Sequence, residues 1–363
     1  MFDKKQQLKI AVGVSGGVDS SVSLALLKEQ GHEVVGVFMR TWQPDWIACT
    51  WRSERRDAMR VCAHLNVPFI ELDLEREYKE GVADHMIREY KKGRTPNPDV
   101  MCNREVKFGG FLRWAHVHNF DYVATGHYVD RRVLDDGSVV MLRGNDPKKD
   151  QSYFLWTLEQ EQLKHILFPV GNIPKSRVRE LAEKYQLPTA TKKDSQGICF
   201  IGDINMKDFL SHYIDEHPGK VLDSSGKVIG SHNGSLFYTI GERHGFTINS
   251  ENKKKDGGPY YVINKDIEKN TITVSENPEQ DQEIQNHWQL IDLVDNQNRL
   301  QQGQQIDAQI RYRGDVVKVD ISEVDHSAKT AIIKFHTHDP SLAEGQSVVF
   351  YNGDTCLGGG ILA

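Results

Sequence analysis

The stretch Lys9-Ile-Ala-Val-Gly-Val-Ser-Gly-Gly-Val-Asp-Ser-Ser-Val22 decides the fold of this chain. Its apolar run, residues 10–14, is typical of a buried strand, and residues 21–30 follow as an apolar-patterned helix. The turn between them is built from Ser, Gly and one Asp. Such a turn leaves backbone N–H groups uncovered at a helix N-terminus, where a phosphate chain can bind. The lysine of a Walker loop is missing, which excludes the usual kinase or GTPase cradle.

Further strands and helices alternate after this stretch. Apolar runs predict a second strand over residues 34–39 and a third over residues 68–74. The spacing of apolar residues predicts helices over 52–66 and 75–92, and a later run predicts a strand over 122–125. Alternating strands and helices favour a doubly wound parallel sheet, which carries its functional site at the carboxyl ends of the strands.

The second half of the chain reads differently, as short strands with Gly and Asn turns. After a last helix over residues 206–217, residues 260–264 and 271–275 predict a β-hairpin. Apolar and polar residues alternate over residues 306–321, and further strands are predicted after them. Together these segments favour a closed or nearly closed β-barrel. The predicted fold class is therefore α/β, with three parts: a doubly wound parallel-sheet domain over residues 1–204, a small mostly-β central domain over 205–278 and a C-terminal β-barrel over 279–363.

The predicted barrel contains a basic and aromatic segment. The alternation places Ile310 and Tyr312 on one face of a strand, and Arg311 and Arg313 on the other. Gln346 is expected at the start of a later strand of the same domain. These polar side chains are candidates for a binding surface.

Bulk composition narrows the class of protein. A chain of 363 residues predicts two or three domains, and no run of 18 apolar residues is present to span a membrane. The N-terminus lacks the pattern of a signal or transit peptide, so we expect a cytoplasmic location. The net charge of −6 argues mildly against a chain coated in nucleic acid but allows local basic patches. Five cysteines in so long a chain indicate catalytic or metal-binding roles rather than a disulfide scaffold.

One cysteine lies in a setting that favours reactivity. Two prolines flank Asn97 and predict a stiff, extended segment before a helix over residues 104–119. Cys102 then lies just before this helix, where the helix dipole favours the thiolate, and Arg104 and Lys107 would add to the effect. By contrast, Cys62 falls on an apolar helix face and is expected to be core.

Several motifs resemble those of known families. The pattern S-G-G-x-D-S at residues 15–20 resembles the PP-loop of ATP pyrophosphatases. A narrower resemblance, to the bacterial-type tRNA-specific 2-thiouridylases, extends from the first strand to the last residues. It rests on motifs at residues 96–99, 102–103, 107–108, 124–128, 149–155 and 197–202. The loop over residues 40–56, with three tryptophans, departs most from the family pattern.

The broader resemblance implies a reaction with ATP and Mg²⁺. ATP pyrophosphatases cleave ATP between the α- and β-phosphates, adenylate a carbonyl or carboxylate oxygen, and let a nucleophile displace AMP. The residues that the resemblance implies for ATP binding are Gly13, Val14, Ser15, Gly16, Gly17, Val18, Asp19, Ser20, Met39 and Gly126.

Replacing the C2 oxygen of a uridine by sulfur needs an activated oxygen and a sulfur donor. A cysteine persulfide is such a donor, and a second cysteine can free its terminal sulfur by closing a disulfide. The resemblance implies that Cys199 carries the persulfide, that Cys102 attacks it or closes the disulfide, and that Asp99 is an acid/base residue. The order of these steps stays open. An iron–sulfur cluster on the same cysteines is an alternative, although no C-x-x-C spacing favours it.

The narrower resemblance also implies a partner, tRNA, whose target base must leave the anticodon loop to reach the site. The residues implied for tRNA contact are Asn97, Pro98, Asp99, His127, Lys149, Asp150, Gln151, Arg311, Tyr312 and Gln346. The resemblance further implies tRNAs for Lys, Glu and Gln, and a persulfide-donating relay protein or cysteine desulfurase.

Two other functions are compatible with the glycine-rich loop at residues 15–20 taken by itself. An amidotransferase-type synthetase would use ammonia, but it needs a glutaminase for which the sequence offers no candidate nucleophile. A non-enzymatic RNA-binding or ATP-sensing module would need no paired cysteines.

Overall fold

The structure, a computed structural model, describes residues 7–47, 51–193, 199, 204–252, 258–281, 285–337 and 339–363. One of the five cysteines, Cys49, lies outside the described residues, as does all of the 197–202 motif except Cys199. Among the described helices, none combines the length and the apolar character that crossing a bilayer requires.

The first domain is built on a parallel sheet. The described residues of this part of the chain supply seven strands: β1 (Lys9–Gly13), β2 (Glu33–Arg40), β3 (Phe69–Asp73), β4 (Tyr122–Ala124), β5 (Val129–Val133), β6 (Val139–Arg143) and β7 (Ile166–Leu167). Five of them form the sheet, in the order β3-β2-β1-β4-β7, and every neighbouring pair is parallel. The strand order reverses between β1 and β4, so the loops after these two strands border one crevice.

Helices connect these strands. They are α1 (Val18–Glu29), α2 (Trp51–His64), α3 (Glu75–Tyr78), α4 (Asp84–Lys91), α5 (Pro98–Cys102), α6 (Phe111–Val117), α7 (Gln160–Leu163) and α8 (Lys175–Lys184). A π-helical segment, Lys79–Ala83, joins α3 to α4, and a second, Asn103–Gly110, joins α5 to α6.

Both faces of the sheet are covered. Along β1, Ile10 and Val12 belong to one apolar cluster, which also contains Leu24 of α1. Ala11, between them, belongs to a second cluster that contains Phe111 of α6. Because successive side chains of a strand point to opposite faces, this division gives the doubly wound arrangement that the sequence predicts.

The central part of the chain forms a second sheet. After α9 (Met206–Ser211) it supplies β8 (Gly219–Leu222), β9 (Val228–His232), β10 (Thr247–Ile248), β11 (Tyr261–Asp266), β12 (Thr271–Ser275) and then α10 (Pro278–Asp281). The strand order is β10-β9-β8-β12-β11. The predicted hairpin is present as the antiparallel pair β11–β12. The helix α9 is shorter than the predicted 206–217.

The C-terminal strands close into a barrel. They are β13 (His287–Asp295), β14 (Gln305–Gln309), β15 (Val316–Asp325), β16 (Thr330–Phe335), β17 (Ser347–Asn352) and β18 (Thr355–Leu362). Their order is β13-β16-β15-β14-β17-β18, and a further pairing of β13 with β18 closes the ring. The β5–β6 hairpin of the first domain pairs with β18, where Leu142 faces Thr355 and Met141 faces Cys356.

Two predictions about local structure are wrong. The helix predicted over 104–119 begins six residues earlier, because Asn97 caps it and Pro98 is its first residue. The alternating run predicted as a strand over residues 306–321 is two strands. β14 ends at Gln309 and β15 begins at Val316, and residues 311–313 between them form a turn in which Arg313 has a φ of +59°. Gln346 does directly precede a strand, as expected.

Candidate active site

The glycine- and serine-rich turn after β1 leads into α1. The helix begins at Val18, three residues before its predicted start, and Gly17 is its N-cap residue. Gly16 has a φ of +71°, and a Cβ there would lie 2.4 Å from the carbonyl oxygen of Glu54. Only glycine fits this left-handed, crowded position. The hydroxyl of Ser20 accepts a hydrogen bond of 3.2 Å from the Ser15 N–H, which holds the turn against the first helical turn.

The loop after β4 borders the same crevice. A Cβ on Gly126 would lie 2.7 Å from the backbone nitrogen of Ser20, so a side chain here would fill the space beside the turn. Met39, at the end of β2, lies beside Gly13, since a Cβ on Gly13 would be 3.0 Å from the Met39 methyl carbon. The structure thus gathers the predicted ATP-binding residues from three strand ends.

The carboxylate of Asp19 has two partners that the sequence did not identify. Lys175 donates to its two oxygens at 2.7 and 2.9 Å, and the Tyr128 hydroxyl donates at 2.6 Å. Tyr128 belongs to the 124–128 motif, whereas Lys175 follows Pro174 at the start of a surface helix and carries no local signal. Lys175 places a positive charge at the edge of the crevice.

Two cysteines that are 97 positions apart meet in the structure. The Sγ atoms of Cys102 and Cys199 are 3.4 Å apart. A carboxylate oxygen of Asp99 accepts from the Cys199 N–H at 3.3 Å, and the Tyr78 hydroxyl donates to the Cys199 carbonyl at 2.7 Å. Cys102 is fully buried and Cys199 is partly exposed. The three predicted catalytic residues therefore form one cluster, with Cys199 on its accessible side.

The electrostatics of this cluster differ from the sequence prediction. Because the helix begins at Pro98, Cys102 lies a full turn inside it and not before it. Burial, and then the hydrogen bond to Cys199, raise the pKa of Cys102 well above its usual value. The hydrogen bond from Cys102 and the charge of Lys107 lower the pKa of Cys199, against the opposing effect of burial. The thiolate expected on Cys102 is thus favoured on Cys199.

Only one of the two predicted cations acts on the thiols. Arg104 instead pairs with Glu105 at 2.7 Å and with Asp292 at 3.7 Å. Burial lowers the pKa of Lys107, but Cys199, Cys102 and Asp99 together raise it above its ordinary value. Burial raises the pKa of Asp99, and Lys107 opposes that effect.

His127 lies behind Lys107. Its Nε2 is 3.5 Å from the Lys107 Nζ, and its Nδ1 is 2.8 Å from the Thr125 hydroxyl. The ring is buried, and burial followed by the charge of Lys107 lowers its pKa well below the usual value. His127 is therefore a neutral internal group next to Gly126 rather than an exposed one.

Most of the residues expected to contact tRNA also support the fold. Asp150 accepts from the Ser152 hydroxyl and pairs with Arg143 at 3.0 Å, and Gln151 accepts from the Tyr128 N–H at 2.9 Å. Lys149, in the same segment, is partly exposed.

Three of the expected tRNA-contacting segments meet around Tyr153. Its hydroxyl donates to the carbonyls of Ile310 and Ser347 at 3.1 and 3.2 Å. The segment before Asn97 joins the same place, because the Thr95 N–H donates to the Glu344 carbonyl at 2.8 Å. The neighbouring Phe154 ring packs on Tyr312, with centroids 4.5 Å apart. The segments around residues 97, 311 and 346 therefore come together next to the helix that carries Cys102.

Fold and site together define a class: a PP-loop nucleotide-binding domain, with a pair of thiols, followed by two β domains. Models of three protein families match the chain. Their descriptions are tRNA methyl transferase HUP domain for residues 8–203, tRNA methyl transferase PRC-barrel domain for 207–276, and Aminomethyltransferase beta-barrel domain for 287–362. These matches confirm the predicted fold class.

Relatives of nearly the same length are similar along the whole chain. The tRNA-specific 2-thiouridylase MnmA of Francisella philomiragia is 43% identical over 98% of this chain and 99% of its own. MnmA of Staphylococcus aureus strain RF122 is 43% identical over 98% of this chain and 95% of its own. The chain belongs to the family of tRNA-specific 2-thiouridylases, as its motifs indicated. A weaker likeness, at a TM-score of 0.34 and 18% identity, links 57% of this chain to 64% of the U34-tRNA thiolase NcsA from Methanococcus maripaludis.

Proposed function

We propose that this chain replaces the C2 oxygen of the wobble uridine of tRNA with sulfur, using ATP and a persulfide on Cys199. The observation that carries this proposal is the approach of the Cys102 and Cys199 sulfur atoms to 3.4 Å, beside Asp99. Two thiols at this distance can exchange a sulfur–sulfur bond without a large movement of the chain.

ATP fits the crevice at the ends of β1 and β4. The backbone at residues 15–18 opens onto the N-terminus of α1, and the absence of a side chain at Gly126 keeps the neighbouring space clear. Lys175 would stand near the phosphates, and adenylation of the uridine oxygen by ATP would turn it into a leaving group. Mg²⁺ in such sites needs only one or two carboxylates besides the phosphates, and Asp19 can supply one.

The thiols supply sulfur by a balanced exchange. The Cys199 persulfide contributes its terminal sulfur, which takes the place of the activated oxygen at C2, and AMP leaves with that oxygen. Cys102 loses its proton and bonds to the Cys199 sulfur, so the sulfur–sulfur bond of the persulfide breaks. The two cysteines are thereby oxidised to a disulfide, and the transferred sulfur is reduced. The acid/base residue proposed for the proton transfers is Asp99, whose raised pKa suits that task.

The exposure of the two cysteines indicates which of them a sulfur donor reaches. Because Cys199 is partly exposed while Cys102 is buried, a persulfide-donating protein can reach Cys199 first. We propose a sulfur-relay protein or a cysteine desulfurase as this donor, and tRNAs for Lys, Glu and Gln as substrates. The contacts proposed with tRNA are those of Asn97, Pro98, Asp99, His127, Lys149, Asp150, Gln151, Arg311, Tyr312 and Gln346.

The other uses of this site have less support. An ammonia-using synthetase leaves the two adjacent thiols without a role. For an iron–sulfur cluster, the described residues hold no group of three or more His, Cys, Asp or Glu side chains arranged around a metal ion. A non-enzymatic module would leave both the thiols and the lowered pKa of Cys199 unused.

The direct test is reconstitution. Purified protein, ATP, Mg²⁺, a persulfide donor and unmodified transcripts of several tRNAs are incubated, and nucleosides are analysed by mass spectrometry. We expect 2-thiouridine and AMP in equal amounts, with transcripts for Lys, Glu and Gln preferred. Binding of tRNA without AMP release under any sulfur supply would overturn the proposal.

A further inference from the structure

Lys107 lies where the thiol pair meets the loop after β4. The charge of its ammonium lowers the pKa of Cys199, whose sulfur lies 3.4 Å from that of Cys102. The Lys107 Nζ is 3.5 Å from Nε2 of His127. A neutral imidazole has one donor and one acceptor nitrogen. With Nδ1–H donating to the Thr125 hydroxyl, Nε2 is left to accept from the ammonium of Lys107. A neutral ring is consistent with the pKa of His127, which burial and the charge of Lys107 lower well below its usual value.

The groups around the Cys199 sulfur identify Lys107 as its cation. Among the described residues, the titratable groups that affect the Cys199 sulfur are Cys102, Asp99 and Lys107, all from the 98–110 helix. Two further groups lie next to this cluster: Tyr78 from α3 and His127 from the loop after β4. Cys102 donates to the sulfur and Asp99 opposes a negative charge on it. The Tyr78 hydroxyl donates to the backbone carbonyl of Cys199 and carries no positive charge. Of these groups, Lys107 alone brings a positive charge.

We propose that Lys107 is a further catalytic residue, whose ammonium holds the sulfur on Cys199 as an anion while His127 fixes the position of that ammonium. The inference rests on the proposed function for its place in the reaction. The Cys199 thiol gives its proton to solvent, and the resulting thiolate attacks the terminal sulfur of a donor persulfide. One sulfur–sulfur bond forms on Cys199, the donor's breaks, and the donor leaves as a thiolate. Lys107 stays protonated and loses nothing in this step.

The position of Lys107 links the two halves of the site. His127 directly follows Gly126, and a Cβ on Gly126 would touch the backbone of Ser20 in the turn before α1. The ammonium is therefore anchored to the same strand end that borders the nucleotide crevice. A charge fixed in this way needs no rearrangement when the anion forms on Cys199, which is how preorganised charges favour reactions.

The test measures the reactivity of Cys199 without ATP or tRNA, so its outcome is independent of whether the chain thiolates tRNA. The rate of carbamidomethylation of Cys199 by iodoacetamide is followed by peptide mass spectrometry between pH 6 and pH 10. We expect Lys107→Met to slow the reaction about tenfold at pH 7 and to move the midpoint of the profile about one pH unit upward. Lys107→Arg, which keeps the charge, should retain most of the rate.

Controls separate the charge from its effect on folding. Lys265 is another partly buried lysine, which donates to the Tyr238 carbonyl in the central domain, and Lys265→Met should leave the Cys199 profile unchanged. Thermal melts of all variants identify any loss of fold. If Lys107→Met melts early, the Cys199 profile is still measured in Lys107→Arg, which keeps the charge. An unchanged profile in folded Lys107→Met would overturn the proposal, as would an equal loss in Lys107→Arg and Lys107→Met.

Discussion

Cysteines are buried in two kinds of surroundings in this molecule. Cys62 packs from α2 against Gly36 of β2, and burial raises its pKa to about 11. Cys356, in β18 of the barrel, is raised in the same way to about 12. Cys102 is buried and Cys199 beside it is partly exposed, and the pKa of Cys199 is lowered because a second thiol and the ammonium of Lys107 stabilise its anion. Burial alone makes a thiol inert, whereas a donor and a cation beside a thiol make it reactive.

The largest expected difference between the two kinds of cysteine is in their effect on turnover. We expect Cys199→Ser and Cys102→Ser each to lower the rate of 2-thiouridine formation at least about a thousandfold, because a hydroxyl can neither carry a persulfide nor close a disulfide. The control is Cys62→Ala, which should keep the full rate. Activity retained by either serine variant would remove the basis for separating the two kinds of cysteine.

A smaller effect is expected on chemical reactivity. At pH 8, Cys62 with a pKa of about 11 holds far less thiolate than Cys199, so Cys199 should react with iodoacetamide about a hundredfold faster. As the pH falls through the lowered pKa of Cys199, both rates fall together and the advantage is kept. As the pH rises towards the pKa of Cys62, the thiolate fraction of Cys62 grows and the advantage shrinks. Peptide mass spectrometry of the folded protein measures both rates in one sample. Equal rates would show that Lys107 and Cys102 do not activate Cys199.

The smallest of the three effects concerns the nucleotide crevice and leaves the thiols alone. In Gly126→Ala, the added Cβ would lie 2.7 Å from the Ser20 nitrogen, and we expect ATP binding to weaken about tenfold. The difference in reactivity between Cys199 and Cys62 should persist in this variant. The matched control is Gly258→Ala, since a Cβ there meets nothing within 4 Å. Calorimetric titration with ATP compares the two, and equal affinity would exclude a nucleotide at the Gly126 edge.

Local sequence patterns predict the nucleotide crevice well, but they predict the chemistry of the two thiols poorly. The strand, turn and helix at residues 9–29 follow from periodicity and glycine content. The sequence also carries a signal for the start of α5, because Asn97 before Pro98 is a cap followed by a first-turn proline, although the two flanking prolines by themselves favour an extended segment. Which thiol carries the anion depends on burial and on contacts between residues 97 positions apart, which no local pattern encodes.

The barrel shows a second limit of local patterns. Alternation continues through Tyr312 in the sequence, while the strand ends at Gln309 and the chain turns before Gly314. Gly314 and Asp315 are the turn signal that the alternation hid. The pairing of β6 with β18 joins segments more than 200 residues apart, so it is set by the tertiary fold rather than by either strand. The domain boundaries at residues 204 and 278 stay predictions.

In the proposed reaction, Cys102 releases the sulfur that Cys199 carries. It is tested most directly in a single turnover, in which persulfidated protein is mixed with ATP, Mg²⁺ and unmodified tRNA under anaerobic conditions without reductant. Peptide mass spectrometry then counts Cys102–Cys199 disulfides, and nucleoside analysis counts 2-thiouridine. We expect one disulfide for each 2-thiouridine formed. Formation of 2-thiouridine while both cysteines stay reduced would contradict it.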